Sequence, residues 1–328
     1  MSARSLSWQK YVLKRFLITI PIIFAIIVVN FILIHIAPGD PFLILTGVTE
    51  PSPEYLKAMK EKYGLDKPIL EQLVRYIISV FRGDLGESIK YQAPVSQLIL
   101  ERAGATILLM TVAISISVAM GTILGIIAAR KPYSITDNLT TIFSLIAWSL
   151  PVFWLAQMLQ LVFGFSLGLF PLGGFSSTGW IAPGIGRVLD ILHHLFLPAL
   201  TIALLRLAIT ARLMRASMLE VLTQDYILTA KAKGTSERAI LFKHALKNAI
   251  RPVITMTGMG IGTMIGGATM TEIVFSWPGL GRLIYEAVLG RDYPVLMGMY
   301  LVLSITVVIA NFFTDIIYAL IDPRVRYT

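Results

Sequence analysis

Residues 224–252 read QDYILTAKAKGTSERAILFKHALKNAIRP, a basic segment set between two strongly apolar stretches. The stretch 225–233 is short, mixed and helix-capable. Gly234 stops it, because glycine adopts the left-handed conformation that a helix end often needs. Thr235 or Ser236 then caps a second helix, with Glu237 favourably placed in its first turn. That helix runs to about Ile250, and Pro252 marks the change into the next apolar stretch. Lys243, Lys247 and Arg251 fall four residues apart, the spacing of one helix face. The bland reading of the segment is an ordinary basic loop held at a lipid surface.

Outward from this loop, hydropathy decides the class. Of 328 residues 56% are apolar and only 14% charged, with a net charge of +9. That balance excludes an ordinary soluble globular domain. Length alone suggests two domains, but apolar runs of about 20 residues or more override that in favour of one polytopic membrane domain. The expected spans are 16–36, 103–129, 139–169, 195–211, 252–271 and 295–321. The first follows a basic, acid-free stretch (1–15) and reads as an uncleaved helix, since no small-residue cleavage site follows it. Between the first and second spans lies a helical insert, 37–102. It opens with the turn signal Pro38-Gly39-Asp40-Pro41 and includes an amphipathic helix over 53–82. Pro151 bends the overlong third span. Gly121 and Gly125 form a small-xxx-small pair that permits close helix packing.

Six spans place both termini on one side, and the Lys/Arg bias makes that side cytoplasmic. The loop within 212–251 carries Arg212, Arg215, Lys231, Lys233, Arg238, Lys243, Lys247 and Arg251 against Glu220, Asp225 and Glu237. The three opposite loops are near neutral, and 322–328 forms a cytoplasmic tail. The fold class expected is therefore an all-α polytopic membrane protein, with a transmembrane core over 103–321.

The chain contains no cysteine, which excludes disulfides and thiolate metal sites. A phosphate-binding loop needs a lysine followed by Ser or Thr, and no lysine here has that neighbour. Proton or sodium coupling calls for ionisable groups within the membrane. Arg206 and Asp315 are the candidates, without an obvious ion site. The adjacent pair His193-His194 points to different sides of a helix and suits an interfacial role better than a metal. His35 sits at the outer end of the first span, and His244 on the loop's second helix. No catalytic and no metal residue is assigned. Gly258, Gly262 and Gly266 recur every four residues. Their stripe either lines a pathway or permits static close packing, and the two are not exclusive. The compact segment Phe275-Ser276-Trp277-Pro278-Gly279-Leu280-Gly281-Arg282 reads as a rigid elbow. Its bland alternative is an interfacial anchor with Trp277 at headgroup level.

The loop resembles the EAA loop of ABC importer permeases, whose pattern is Glu-Ala-Ala, three residues, then Gly. Ala230 and Gly234 match, while Leu228 and Thr229 depart. The fuller string from Asp225-Tyr226 through Ala-Lys-Ala-Lys-Gly to His244-Ala245-Leu246 and Asn248 is similar to the dipeptide/oligopeptide/nickel branch, where those departures are usual. Pro38-Gly39-Asp40-Pro41, Gly83-Asp84-Leu85-Gly86, Pro151-Val152-Phe153-Trp154, Arg291-Asp292-Tyr293-Pro294 and Asp322-Pro323-Arg324 extend the resemblance over nearly the whole chain.

The resemblance implies a type I importer fold and a non-catalytic permease subunit of a prokaryotic plasma (inner) membrane. It implies a heterodimer with a second homologous permease, two cytoplasmic ATPase subunits and an extracytoplasmic solute-binding protein, with no nucleic acid involved. ATP and Mg would sit on the partner ATPases and none on this chain. Asp225, Tyr226, Thr229, Ala230, Lys231, Lys233, Gly234 and His244 are the ATPase-coupling residues it implies. It implies ATP-driven translocation of di- and oligopeptides by alternating access, with nickel complexes or oligosaccharides as the alternative cargo. A stand-alone secondary transporter is the alternative of a different class.

Overall fold

The computed structural model describes residues 3–36, 67–178, 184–261 and 268–321. Among them the backbone is helical, with one isolated antiparallel bridge between Glu87 and Pro94. The all-α polytopic class expected from hydropathy is the one observed. Among the described residues, four helices are long and apolar enough to cross a bilayer: Lys10–Leu33, Val95–Arg130, Ile185–Leu222 and Tyr293–Ile316. A fifth is added if the bent pair Ile135–Ser149 and Val152–Ser166 is one span. The stretch read as the fifth of six spans, 252–271, includes 262–267, which lie outside the described residues. So do 37–66, which contain Pro38-Gly39-Asp40-Pro41 and the first half of the stretch 53–82 expected to be helical, and so does the tail 322–328.

The chain divides into two compact units, one of 1–104 with 279–328 and one of 105–278. The first contains α1 (Ala3–Ile36), α2 (Ile69–Phe81), the opening turns of α3 (Val95–Arg130), α11 (Leu280–Leu289) and α12 (Tyr293–Ile321). Helices α1 and α12 run antiparallel. Arg15 near the start of α1 pairs with Asp315 near the end of α12 at 3.1 Å. Asn30 near the end of α1 donates to the Met297 carbonyl near the start of α12 at 3.2 Å. Asn30 is buried and also donates to the Tyr76 hydroxyl of α2 at 2.8 Å, so its amide is satisfied, as a polar group in such a place requires. Asp315, a candidate intramembrane ionisable group, is thus already neutralised by Arg15.

The motifs Gly83–Ser88 and Arg291–Pro294 meet each other. Asp292 is fully buried and accepts hydrogen bonds from the Ser88 hydroxyl and from the backbone N–H groups of Lys90 (3.1 Å) and Val295 (3.4 Å). The last of these caps α12. Beside it, Glu286 of α11 accepts from Tyr91 and from Arg282 at 2.8 Å. Burial alone would raise the Glu286 carboxyl. The Tyr91 and Arg282 hydrogen bonds, with the charges of Arg282 and Arg102, outweigh it and hold the group below the usual range. The two motifs together therefore form a clip within this unit. The piece 93–102, read as the end of the insert, forms the first turns of α3.

The second unit is built on the rest of α3 and on α6 (Ile185–Leu222, 38 residues). Between them in sequence come α4 (Ile135–Ser149) and α5 (Val152–Leu159), the latter continuing as a π-helical turn over Gln160–Ser166. The break between α4 and α5 is sharp, 105°. Pro151 forces Leu150 into an extended conformation (ψ 132°), which ends α4 and restarts a helix in a new direction. Helix α6 is longer than the 195–211 span expected. Its first turns absorb His193 and His194, and its last turns absorb Arg212 and Arg215. It carries Pro198 in its interior.

Close approach of α3 and α6 depends on two glycines. A Cβ on Gly121 would lie 2.7 Å from the Cβ of Thr210, and one on Gly125 would lie 2.6 Å from the Cβ of Met214 and 2.8 Å from the Ala211 carbonyl oxygen. Gly125→Ala is accordingly expected to lower the thermal unfolding midpoint of the purified protein, at a cost of about 1–3 kcal/mol. Gly104→Ala on the same helix, where an added Cβ meets no atom within 4 Å, leaves the midpoint undiminished. Equal behaviour of the two variants would contradict the packing account.

Helix α10 (Thr269–Val274) leads into the elbow. Phe275 and Trp277 are buried, and the Trp277 indole N–H donates to the Ala105 carbonyl at 2.9 Å. An interfacial anchor with Trp277 at headgroup level is therefore ruled out: the ring is a core residue of the second unit. Gly173 is obligatory next to it, since a Cβ there would sit 2.5 Å from the Phe275 carbonyl oxygen. Nearby, buried Glu272 accepts from the Thr106 hydroxyl at 2.7 Å.

Candidate coupling site

The basic loop folds as two helical pieces. Helix α7 (Asp225–Ala232) starts after Gln224, whose backbone is extended, with Asp225 in the first turn and Lys231 in the last. Both charges oppose the helix dipole favourably. Gly234 has φ +73° and ends the helix. The Gly234 N–H bonds the Lys231 carbonyl (3.0 Å) and the Thr235 N–H bonds the Ala230 carbonyl (3.2 Å), the paired closure of a Schellman end. Helix α8 follows as Glu237–Ala239, a π-helical Ile240–Ala245 and Leu246–Ala249, and α9 (Arg251–Ile261) continues it. Ser236 stands at the cap of α8, but its side chain makes no capping bond.

Only two residues of α7 are buried, Ile227 and Ala230, one turn apart. Ile227 is 0% exposed and belongs to a cluster with Ile126 of α3, Met214 and Met218 of α6, and Ile240 and Leu241 of α8. The remainder of the helix faces outward: Asp225, Tyr226, Leu228, Thr229 and Lys231 are exposed, as are Lys233 and Gly234 beyond its end. Tyr226 is steadied by its hydroxyl, which accepts from the Asn248 amide at 2.8 Å. On α8 and α9, Lys243, Lys247 and Arg251 are exposed while Leu241, Ala245, Ala249 and Val253 are buried. His244 is half-buried.

Two ion pairs frame the segment. Arg130, the last residue of α3, forks onto Glu237 at 2.7 and 2.8 Å. The Arg130 hydrogen bond holds the Glu237 carboxyl below its ordinary range. The folded value lies below the unfolded one, so the pair's contribution is present above about pH 4.3 and is lost as pH falls through the lowered value. Arg215 of α6 forks onto Asp137 of α4, with Nη2 to Oδ2 at 2.7 Å. Neither pair has a sequence signal: the partners stand 107 and 78 residues apart.

Of the coupling residues expected, Asp225, Tyr226, Thr229, Lys231, Lys233 and Gly234 gather on one exposed element. Ala230 faces the core beneath it, and His244 lies on α8. Of the glycine stripe, Gly258 lies in α9 with no atom within 4 Å of an added Cβ. Gly262 and Gly266 lie outside the described residues. His193 bonds the Leu169 carbonyl (2.8 Å) and His194 the Asp190 carbonyl (2.9 Å). Among the described residues no group of three His, Asp or Glu side chains is placed to hold a metal.

Long apolar helices together with an outward-facing helix pinned at the edge of the helical core define a multi-pass membrane protein of the permease class. The chain belongs to the family of binding-protein-dependent transport system inner membrane components, whose profile matches residues 121–327, while the N-terminal profile of such membrane components matches 8–110. It is 39% identical over 318 residues to the oligopeptide transport system permease protein AppB of Bacillus subtilis, covering 97% of this chain and 99% of that protein. It is 36% identical over 335 residues to the dipeptide transport system permease protein DppB of Escherichia coli (strain K12), again covering 97% and 99%. The DppB protein of Alkalihalophilus pseudofirmus is 38% identical over 331 residues with the same coverage.

Proposed function

We propose that this chain is one of two membrane-spanning subunits of an ATP-driven importer that moves di- and oligopeptides inward by alternating access. The observation that carries the reading is the construction of α7. Its buried Ile227 joins it to the apolar cluster at the ends of α3 and α6, and its exposed residues are left for a partner. Two cytoplasmic ATPases, which hold ATP and Mg, engage α7 and its counterpart on a second permease. ATP binding draws α7 inward, the attached helices rearrange, and hydrolysis resets them. A solute-binding protein delivers the peptide from the opposite side, where the 37–102 insert lies. The antiparallel pairing of α1 and α12 supports both termini being cytoplasmic, and the basic loop supports that side being the ATPase side. The names of the relatives support peptides as cargo.

The test is ATP hydrolysis by the complete complex reconstituted in vesicles, with and without peptides. Peptide-stimulated hydrolysis coupled to uptake is the expected result. Hydrolysis indifferent to peptides but stimulated by nickel chelates or oligosaccharides would change the cargo and keep the machine. Uptake by this chain alone, indifferent to ATP, would overturn the reading.

A further inference from the structure

Four arginines stand along α6: Arg187 is exposed in its first turn, and of the three in its second half two have partners. Arg215 is bound by the Asp137 carboxylate, and the Arg212 guanidinium lies over the Trp148 ring at 5.8 Å from its centroid. Arg206 is half-buried, and its guanidinium makes no hydrogen bond, ion pair or ring contact among the described residues. It also lies in the apolar part of the span. Arg206 is six residues before Arg212, the first exposed cation beyond the apolar stretch, about 9 Å along the helix axis. A helical side chain leans toward the N-terminus of its own helix, which here carries the Arg206 head further from the level of Arg212. Snorkelling to the phosphate layer, the usual escape of a long cation, is therefore closed to it.

An isolated guanidinium at such depth costs several kcal/mol or more, of order 3 on insertion scales, unless an anion meets it. The fork of a guanidinium matches a carboxylate in two parallel hydrogen bonds. The flank of α6 that carries Arg206 is otherwise apolar near it, with Leu205, Ile209 and Leu213 all only partly buried. The adjoining flank, Leu207, Thr210, Ala211 and Met214, is closed against α3. A permanent ion pair is normally fully enclosed and supported by further hydrogen bonds. A lone, partly open cation in an apolar wall is instead arranged for an anion that comes and goes.

We propose that Arg206 is a carboxylate-recognition residue of the translocation route, gripping the C-terminal carboxylate of a peptide as it crosses. The inference rests on the peptide-importer reading above. One cation is enough because every linear peptide carries that group whatever its side chains, so a single arginine serves a permissive route.

The experiment compares uptake of a labelled tripeptide and of its C-terminal amide by the whole reconstituted complex, carrying wild-type chain, Arg206→Gln or Arg206→Lys. Wild type is expected to favour the acid. Arg206→Gln is expected to lower acid uptake at least tenfold, to the level of the amide, and Arg206→Lys to keep most of it. Complex yield is unchanged throughout. Three results would each overturn the inference. Arg206→Gln transports the acid at the wild-type rate, or loses acid and amide in equal proportion. Or it fails to assemble while Arg206→Lys assembles, which would assign the counter-charge to the second permease. Failure of the wild type to move either peptide, with ATP-driven uptake of another solute, would instead remove the peptide reading, and this inference with it.

Discussion

Ile227→Asp is expected to abolish peptide-stimulated ATP hydrolysis and uptake while leaving the membrane helices folded. Helix α7 is eight residues long and too short to persist alone. It is held by Ile227 and Ala230, and Ile227 is the only large apolar side chain that it buries. Removing that side chain forfeits about 1.5–3 kcal/mol of burial. The aspartate that replaces it enters the apolar cluster of Ile126, Met214, Met218 and Ile240, which offers nothing to compensate a charge. Together these exceed about 4 kcal/mol, more than a two-residue attachment supplies, so α7 leaves its seat. Helical content and purification yield measure the spans, and retention of the ATPase subunits during purification measures the seat. Normal coupling by a well-assembled Ile227→Asp complex would refute the role given to α7. A gentler perturbation of the same element is Gly234→Val. An added Cβ there meets nothing within 4 Å, so its effect is the strain of φ +73° alone, about 1–2 kcal/mol, and partial uncoupling is the expected outcome.

Asp137→Ala is expected to destabilise the second unit by about 3 kcal/mol, with Asp137→Ala combined with Arg215→Ala recovering a good part of it. The Asp137 side chain is 2% exposed, and that of Arg215 is 27% exposed. Removal of the acid therefore strands a largely desolvated cation, whereas removal of both leaves a small apolar gap. Asp137 also accepts from the Tyr133 N–H at 2.8 Å, at a residue with φ +62°, so the turn into α4 loosens at the same time. That share is not recovered by the double variant. Thermal unfolding of all four proteins completes the cycle. Simple additivity of the two single losses would show that the pair contributes no coupling.

Features carried by local chemistry were readable before the structure. The end of α7 follows from Gly234, the break after Ser149 from Pro151, and the seating of α3 from Gly121 and Gly125. In each case a backbone or steric property of one residue type dictates the outcome. Exposure of Lys243, Lys247 and Arg251 follows likewise from charge. The reach of helices was less legible. Hydropathy marks the apolar stretch 195–211, but α6 continues into charged sequence at both ends, because Asp190 is satisfied by Ser177 and Arg215 by Asp137. Trp277 illustrates the opposite error. An indole in a Gly/Pro-rich segment of a membrane protein suggests the headgroup layer, yet its N–H finds the Ala105 carbonyl, 172 positions away. Pairings over that separation, like Arg130 with Glu237 and Ser88 with Asp292, leave no periodic or local mark. The inward face of α7 was equally hidden, since eight mixed residues carry too weak a pattern to separate Ile227 from Leu228.

Pro198 gives α6 a mechanical property. Its missing N–H leaves the helix one hydrogen bond short at that level, the weakest point of an otherwise continuous rod. From there to Leu222 the rod is about 36 Å long. A swing of roughly 10° about Pro198 displaces the far end by about 6 Å, slightly more than one helical turn. Such a long arm gears a small angular change near the pivot into a stroke the size of a helix turn where α7 is mounted. Run in reverse, a pull of that size at α7 reaches Arg206, close to the pivot, as a shift of about 2 Å. That is enough to make or break a two-pronged contact, and too little to unseat the helix.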